Sequence, residues 1–346
     1  MAKKQFVFNT GAPQRDENAP QVDFDAMNQY IVDTVGCSEK PEAMIGIVSG
    51  VIDLGLQKQD DAKMEWKGSD EERAAIEAKA AKGETQEYFE VVPHGQNNVP
   101  TLCKRWPVKP QRCVALTFDI PDLMINRGKW FDEEGGEELP FRGLLNNEFG
   151  MKGVGKIVGK PFSTKEQKND DGSWSLKNNT ILFKLAQATN QLEGGKFKPS
   201  MLGNLIGEAA MFNVHVFINE QGGKKYLNEK MSFNGPVPKA MQKMIPELDE
   251  KFMYMINFTG EQDLEALKQL RQSVVNTMKL ATDFEGSDIQ KALIQIGKIK
   301  EGDTTPAANN SEPKAQAAKP QSQQQAPAPQ ADPVDFDDFD DQDIPF

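Results

Sequence analysis

One stretch of the sequence, AMIGIVSGVIDLGLQ at residues 43–57, limits the folds that this chain can adopt. Its β-branched and aliphatic residues are typical of a buried strand. Gly46, Gly50 and Gly55 interrupt the run, and glycine inside a strand marks bulges and tight curvature. The pattern therefore predicts one long, strongly bent strand.

Other segments supply the remaining elements. Strand patterns occupy residues 87–94, 112–122 and 209–239, the last with a hairpin turn at Gly222-Gly223. Helical patterns occupy residues 22–35, 69–84, 260–281 and 286–300. Residues 180–192 fit a helix or a strand. The predicted fold class is mainly β with inserted helices (α+β), built on an elaborated OB-type β-barrel, because curved strands with glycine at the bends suit a small barrel.

Composition divides the chain into five parts. They are a disordered N-terminus at residues 1–20, an OB-type domain with insertions at 21–239, a helical segment at 240–300, a flexible Gln/Pro/Ala linker at 301–331 and an acidic tail at 332–346. The linker and tail are too polar to form a packed core.

Charge is unevenly distributed along the chain. The whole sequence has a net charge of −12, but residues 96–130 carry six Lys or Arg against two Asp, and residues 142–239 are also net basic. The basic middle of the chain is a candidate surface for a polyanion. Ordinary solvated faces explain the charge equally well on this ground alone.

The sequence predicts a cytoplasmic protein without a membrane partner. No run of about 18 apolar residues is present, and residues 1–20 lack the apolar core of a signal peptide. The three cysteines, Cys37, Cys103 and Cys113, are too few and odd in number for a disulfide framework, which suits a reducing compartment.

The sequence offers little support for catalysis. It has two histidines, His94 and His215, and no GxSxG or HExxH motif. The glycine-rich run at residues 150–160 does not complete the G-x-x-x-x-G-K-[ST] pattern of a phosphate loop, and no buried strand precedes it. Asp53 and Asp119 are isolated carboxylates of the kind a two-metal nuclease needs, but their neighbours favour turn capping. We therefore predict no enzymatic activity.

A Cys3His zinc site is a second metal centre that the sequence could supply. Cys37, His94, Cys103 and Cys113 would be its ligands, but none of them forms the CxxC or CxxH pair that such sites use. Packed, reduced cysteines are the better interpretation. The sequence thus predicts no metal and no cofactor.

Two short segments interleave cations with aromatic residues, as a site for single strands requires, because bases stack on rings while Lys and Arg contact phosphates. They are CKRWPVKPQRC at residues 103–113 and INRGKWF at residues 125–131. Trp106 and Trp130 are the strongest candidates because each lies between cations in a loop-like context. The predicted DNA contacts are Lys104, Arg105, Trp106, Lys109, Arg112, Phe118, Arg127, Trp130, Lys184, Lys224, Lys225 and Tyr226.

The tail, DPVDFDDFDDQDIPF, combines seven aspartates with the apolar residues Ile344, Pro345 and Phe346. The apolar residues offer an anchor for a basic-rimmed pocket on a partner, and the aspartates add electrostatic steering toward it. The aspartates could also fold back onto the basic groove and compete with DNA. A merely solubilising tail accounts for the aspartates but not for Ile344 and Phe346.

This ending, after a Gln/Pro-rich linker, resembles the C-terminal tail of bacterial single-stranded DNA-binding proteins. The resemblance implies that replication, recombination and repair enzymes bind Asp340, Asp341, Asp343, Ile344, Pro345 and Phe346, with the last Pro and Phe in a hydrophobic pocket. Residues 43–239 look similar to phage-encoded single-stranded DNA-binding proteins with an elaborated OB fold. The combination of the two resemblances implies a viral protein whose tail borrows host enzymes. The chain is longer than the bacterial pattern, which leaves open its oligomeric state and which aromatic residues contact DNA.

The sequence therefore predicts a non-catalytic protein that binds and protects single-stranded DNA, largely independently of sequence, in replication, recombination and repair. Two alternatives stay open. An interaction-only protein would use the tail to capture host enzymes and would bind no DNA. A strand-annealing recombination mediator would bind DNA but have strand pairing as its output. A nuclease is the least supported alternative.

Overall fold

The computed structural model describes residues 23–59, 61–95, 99–131, 136–151, 155–159 and 161–302. The helices are α1 (Phe24–Val35), α2 (Asp70–Ala81), α3 (Ile181–Ala188), α4 (Leu264–Lys268), α5 (Gln272–Met278) and α6 (Asp288–Gln295). The strands are β1 (Glu42–Gln57), β2 (Ala62–Glu65), β3 (Tyr88–His94), β4 (Val99–Trp106), β5 (Gln111–Ile125), β6 (Leu139–Leu144), β7 (Asn147–Met151), β8 (Gly155–Gly159), β9 (Phe162–Ser163), β10 (Glu166–Lys168), β11 (Trp174–Leu176), β12 (Ala209–Gln221), β13 (Lys224–Gly235) and β14 (Tyr254–Ile256). The predicted combination of β-sheet and helices is confirmed. No helix within these ranges has the length and hydrophobicity to cross a lipid bilayer.

A seven-stranded sheet organises the molecule. Its main strands follow the order β13-β12-β1-β5-β6, with β14 beside β1 and β9 beside β5. Neighbouring strands are antiparallel except β1 and β14, which are parallel. Along the chain β1, β5 and β6 follow one another across the sheet, and β12 then returns to the free side of β1. This is the order of a Greek key.

The predicted bent strand is β1, whose register against β5 shifts at two bulges. Gly50 shows why glycine is needed. A Cβ atom built there would lie 2.5 Å from Thr117 Oγ1 and 2.5 Å from Tyr254 Cζ. Without that atom, Tyr254 of β14 lies against β1 with its hydroxyl oxygen 3.0 Å from Thr117 Oγ1.

Local signals in the sequence set the ends of several elements. The β12–β13 hairpin turns at Gly222 and Gly223, whose φ angles of 61° and 75° match a two-residue hairpin turn, so this prediction is confirmed. Helix α2 begins after Ser69, and Ser69 and Glu72 form a reciprocal capping box. The undecided segment 180–192 contains helix α3, which Thr180 caps through its side chain.

Both faces of the sheet are covered. One face packs against α1 and α3 in a core that contains Phe118 and Phe212. The other face packs against the region from β14 to α6, which contributes Phe258 and Phe284. The predicted helix over residues 260–281 is wrong as one helix, because α4 and α5 are separated at Arg271. Its guanidinium binds Glu229 and the Arg142 carbonyl oxygen, and this tertiary pairing overrides helix propensity.

The outermost strands of the sheet, β6 and β13, approach each other just beyond the end of β6. The Asn146 N–H donates to the Met231 carbonyl oxygen at 2.8 Å, and the Met231 N–H donates to Asn146 Oδ1 at 2.8 Å. No ladder of paired residues joins β6 to β13 in the described residues, so the sheet is open there and is not a closed barrel.

An arm is inserted along the chain between β1 and β5. It consists of helix α2 and a three-stranded sheet in the order β2-β4-β3. Trp66 and Phe89 pack edge to face inside it, with ring centroids 5.0 Å apart. The arm ends at Trp106, and a short loop then leads to Gln111, the first residue of β5.

Candidate nucleic-acid interface

Lys104 and Trp106 lie on the same face of β4 because side chains alternate along a strand. The Lys104 ammonium is 5.7 Å from the centroid of the Trp106 ring and donates a 2.9 Å hydrogen bond to Glu87. Both side chains are half-buried and border a cleft of about 260 Å³, which we call the Trp106 cleft. It is lined by Thr85, Gln86, Glu87, Lys104, Trp106 and Pro107.

Arg105 is not part of this cleft, which corrects one predicted DNA contact. It points to the opposite face of β4, and its side chain is 4% exposed. Its guanidinium donates to Glu90 at 2.7 Å and to the Asp61 carbonyl oxygen at 3.2 Å, and lies 5.8 Å from the centroid of the Tyr88 ring. A buried guanidinium with these contacts holds the arm together and cannot reach a phosphate.

Phe118 is a second correction. It has no exposed surface, and its ring stacks on Phe212 with centroids 4.1 Å apart. The cause is its position in β5, a strand with neighbours on both sides and a core on both faces. A base cannot stack on a ring that the core already covers, so Phe118 leaves the candidate set.

A second cleft lies where β5 begins. It is about 500 Å³ in volume, within the range of about 300–1,000 Å³ that small-molecule sites occupy. We call it the Trp174 cleft, and it is lined by Gln111, Arg112, Thr164, Lys165, Glu166 and Trp174. Arg112 is paired with Asp53 and with Asp283, 3.1 Å away, so its charge is balanced inside the protein. Lys165 is exposed and supplies the cation.

Trp174 was not among the predicted DNA contacts. Its side chain is 54% exposed although tryptophan is normally well covered. Lys168 lies directly opposite it in the β10–β11 pair, on the same face of this small hairpin. Lys196 binds Asp171 in the hairpin turn and, with Ser173, lowers the pKa of that carboxyl. The available signal was a tryptophan directly after a polar turn, with no apolar run to bury it.

The two clefts are connected by a short loop. Residues 107–110 lead from Trp106 to Gln111, and Lys109 in this loop is exposed. Five residues of fully extended chain span at most about 18 Å, so the Cα atoms of Trp106 and Gln111, one at each cleft, are no farther apart than that. The candidate interface thus contains two clefts, each with a tryptophan, at the two ends of a short loop that exposes Lys109.

Trp130 and Arg127 lie elsewhere. The 15 residues of β5 lie between them and the loop after Trp106, and neither of them lines a cleft. The Trp130 ring is half-buried against Tyr30 of α1, with centroids 6.4 Å apart, and Lys129 lies 3.4 Å from the Tyr30 centroid. Arg127 is paired with Glu229 at 3.0 Å. These contacts anchor α1 and β13 to the end of β5.

The remaining predicted contacts line neither cleft. Lys184 is exposed on α3. Lys224 and Tyr226 are exposed near the tip of the β12–β13 hairpin. Lys225 is also exposed, but it lies opposite Glu220 on the other face of the hairpin, so it and Tyr226 cannot contact the same strand on one face.

The two carboxylates considered for a nuclease, Asp53 and Asp119, each form an ion pair with an arginine. Asp53 binds Arg112, and Asp119 accepts two 2.8 Å hydrogen bonds from Arg142. Asp119 is 1% exposed. Burial raises the pKa of its carboxyl, although the hydrogen bonds from Arg142 act to lower it. The pair joins β5 to β6 inside the sheet.

The three cysteines are buried in different places. Cys37 adjoins β12, Cys103 is in the arm and Cys113 is in β5. Burial raises the pKa of all three thiols, to about 11 for Cys113. Across the described ranges, no three His, Cys, Asp or Glu side chains are close enough to hold a metal ion, and the set with His94 is not assembled.

The predicted partner-binding residues, Asp340, Asp341, Asp343, Ile344, Pro345 and Phe346, lie outside the described residues, as do residues 1–22 and the predicted linker from residue 303. The geometry of the two clefts is therefore the basis for assigning a function. Comparison of the chain with protein-family models, curated proteins and solved structures finds no match in any of the three.

Proposed function

We propose that this chain is a non-catalytic protein that binds single-stranded DNA, largely independently of sequence, in replication, recombination and repair. One observation carries the proposal: two clefts, each with an accessible tryptophan and a lysine, are joined by a loop that exposes Lys109. Every base has a face that can stack on tryptophan, and lysines bind phosphates whatever the sequence.

The cations at the two clefts differ in whether carboxylates already neutralise them. Lys104 and Arg112 are each paired with carboxylates, so they fix the shape of the clefts and add little net charge. Lys109, Lys165 and Lys168 are exposed and supply the attraction for phosphates. The proposed site therefore depends on stacking at Trp106 and Trp174 as much as on charge.

The fold supports an elaborated, partly open OB-type barrel as the scaffold. The Greek-key order of β12, β1, β5 and β6 is extended by a fifth strand, β13, beside β12. Helix α3 lies in the chain between the third strand, β6, and the fourth, β12. Asn146, after β6, contacts Met231 of β13 across the open side. OB-type barrels bind oligonucleotides with the loop between the first and second strands and the loop between the fourth and fifth. Here the arm and the loop 107–110 form the first of these connections.

The tail is proposed to recruit replication, recombination and repair enzymes. Its aspartates would steer it toward a basic pocket, and Ile344, Pro345 and Phe346 would fill that pocket. The same aspartates would compete with DNA for the lysines of the interface at low salt. The resemblance to bacterial single-stranded DNA-binding proteins rests on this segment.

A titration with poly(dT), followed by tryptophan fluorescence at low and moderate salt, tests the proposal. We expect strong quenching that weakens with salt, and tighter binding when residues 332–346 are removed. The variants Trp106→Ala and Trp174→Ala should each lose about 1–3 kcal/mol of binding free energy. If neither the full chain nor the shortened chain binds, the interaction-only alternative takes over.

A further inference from the structure

Two phenyl rings at the start of helix α1 are left largely uncovered. The apolar side of α1 is buried at Ile31, and Met27, one turn earlier, is partly buried against the same core. Phe24, a further turn out, is 56% exposed, and its ring touches that of Phe131, which is 60% exposed, with centroids 6.2 Å apart. Single exposed apolar residues are ordinary, but two rings in contact form a patch. We call these two rings the Phe24–Phe131 patch.

Residues 1–22 lead directly into the first turn of α1, so this segment is attached beside the patch. It contains one run of large apolar residues, Phe6, Val7 and Phe8. In an extended segment, residues two apart point the same way and their Cα atoms are about 6.6–6.8 Å apart. Phe6 and Phe8 therefore match the 6.2 Å spacing of the two rings of the patch, while Val7 points away from them.

The connection back to α1 is long enough for such a contact. Residues 9–22 lie between the apolar run and the helix, and Gly11, Pro13 and Pro20 in them suit turns. A flexible loop of this length has an end-to-end distance of about 20 Å. The attachment therefore keeps the apolar run near the patch at an effective concentration on the order of millimolar.

The surroundings of the patch are acidic. Asp23 and Asp25 precede and follow the α1 ring in the chain, and both are exposed. Residues 132–134, which follow the other ring directly in the sequence, are Asp, Glu and Glu. The neighbouring cation, Lys129, lies over the Tyr30 ring at 3.4 Å from its centroid. A segment that covers the patch is therefore favoured if it carries positive charge.

Charge distinguishes the chain's own candidate segments outside the described residues. Residues 1–15 carry Lys3, Lys4 and Arg15 and no acidic residue. The tail at residues 332–346 also has aromatic rings, but it has seven aspartates and no cation, so the carboxylates beside the patch would repel it. The linker before the tail has no aromatic residue. The N-terminal segment is thus the one that fits.

We propose that residues 3–8 dock in extended form on the Phe24–Phe131 patch of the same chain, with Phe6 and Phe8 against its rings. Aromatic rings attract each other in edge-to-face and offset arrangements, and burial of their surfaces drives the contact. Lys3 and Lys4 lie toward the carboxylates, where exposed ion pairs orient the segment more than they strengthen it. The inference goes beyond the proposed function and does not depend on it.

Amide hydrogen exchange of the full chain, measured by mass spectrometry, tests the docking. We expect the amides of residues 4–9 to exchange at least about tenfold more slowly than in a free peptide of the same sequence. Phe8→Ala and Phe24→Ala should each speed this exchange by about fivefold or more, whereas the matched control Val7→Ala should leave it within about twofold. Phe131→Ala repeats the test from the other ring. Phe24 and Phe131 are both exposed, so their replacement leaves the core intact.

A mixture of two variants separates docking within one chain from docking between chains. The double variant Phe24→Ala/Phe131→Ala keeps the segment without the rings, and a chain that lacks residues 1–20 keeps the rings without the segment. We expect residues 4–9 of the double variant to exchange as fast in the mixture as they do alone. Slower exchange in the mixture would mean that the segment docks on another copy, and the inference would fail.

Three further results would overturn the inference. They are fast exchange of residues 4–9 in the full chain, equal effects of Val7→Ala and Phe8→Ala, and loss of the protection when residues 332–346 are removed. The last result would make the tail the partner of the segment. In each case the titration with poly(dT) still decides the proposed function, because the patch lines neither cleft.

Discussion

The Lys104 ammonium lies 5.7 Å from the centre of the Trp106 ring while it donates a hydrogen bond to Glu87. The same cation therefore orders the tryptophan and is neutralised by a carboxylate that lines the same cleft. We expect Glu87→Gln to tighten binding of single-stranded DNA by about two- to fivefold at low salt, because it releases a partly exposed ion pair worth about 0.5–1 kcal/mol. Fluorescence titration with poly(dT) measures the change.

The control for Glu87→Gln is Glu265→Gln, which makes the same change in net charge. Glu265 is an exposed residue of α4 that pairs with Lys268, and it lines neither cleft. If both variants tighten binding equally, the effect comes from net charge and the cleft has no special part in it.

Trp106 and Trp174 are expected to act as independent platforms. Each replacement by alanine should cost about 1–3 kcal/mol of binding free energy, and the double variant should cost the sum within about 0.5 kcal/mol. Replacement by phenylalanine should recover most of each loss, because a flat ring remains. A titration of the four variants on an oligothymidylate that spans both clefts measures the cycle. A double variant no weaker than one single variant would mean that only one of the clefts is used.

Lys109 should report directly on phosphate contact. It is exposed on the loop between the clefts, and one phosphate neutralised by it contributes about 0.7 to the slope of log affinity against log salt concentration. We therefore expect Lys109→Ala to reduce that slope by about 0.7, with a smaller change for Lys58→Ala, an exposed lysine at the end of β1. Titrations at four or more salt concentrations provide the slopes. An unchanged slope for Lys109→Ala would remove it from the strand's path.

The sequence was sufficient for the elements whose signals are local. The bent strand β1, the Gly222-Gly223 hairpin and the Ser69 cap of α2 depend on residues that are neighbours in the chain. The long helix predicted over residues 260–281 failed because its break depends on Arg271 reaching Glu229, which is distant in sequence. Helical periodicity contains no information about such a partner.

The candidate site was predictable as a segment but not residue by residue. Alternating basic and aromatic residues drew attention to residues 103–113. Side-chain alternation along β4 places Arg105 on the buried side and leaves Lys104 and Trp106 at a cleft. Phe118 was misassigned because composition cannot tell a central strand from an edge strand. Trp174 was left out of the predicted contacts because its cleft neighbours Gln111 and Arg112 are distant in sequence, and the pairing of β9 with β5 helps bring them together.

Arg105 is expected to be a stabilising residue of the arm and not a DNA contact. Arg105→Ala removes a guanidinium held by Glu90 and Asp61, and Glu90 is 43% exposed and can be rehydrated. The unfolding free energy should therefore fall by about 1–3 kcal/mol, less than for a fully buried pair. Urea unfolding measures the loss. The exposed pair Arg73–Glu77 provides the control, because Arg73→Ala should cost about 0.5 kcal/mol or less. A loss of DNA affinity in folded Arg105→Ala protein would contradict this assignment.

Glu229 gives the fold a predictable dependence on pH. Burial acts to raise the pKa of this carboxyl, but Arg271 and Arg127 outweigh burial and lower it below the ordinary 4.5. A carboxyl whose pKa is lowered by folding adds stability above its ordinary pKa and loses it as the pH falls through its folded value. Glu229→Gln should therefore cost about 1–3 kcal/mol in urea unfolding at pH 7, and clearly less once the pH falls well below 4.5. An equal loss at both pH values would mean that the ion pairs with Arg127 and Arg271 contribute nothing, and that the side chain stabilises the junction of β13, β5 and α5 through packing alone.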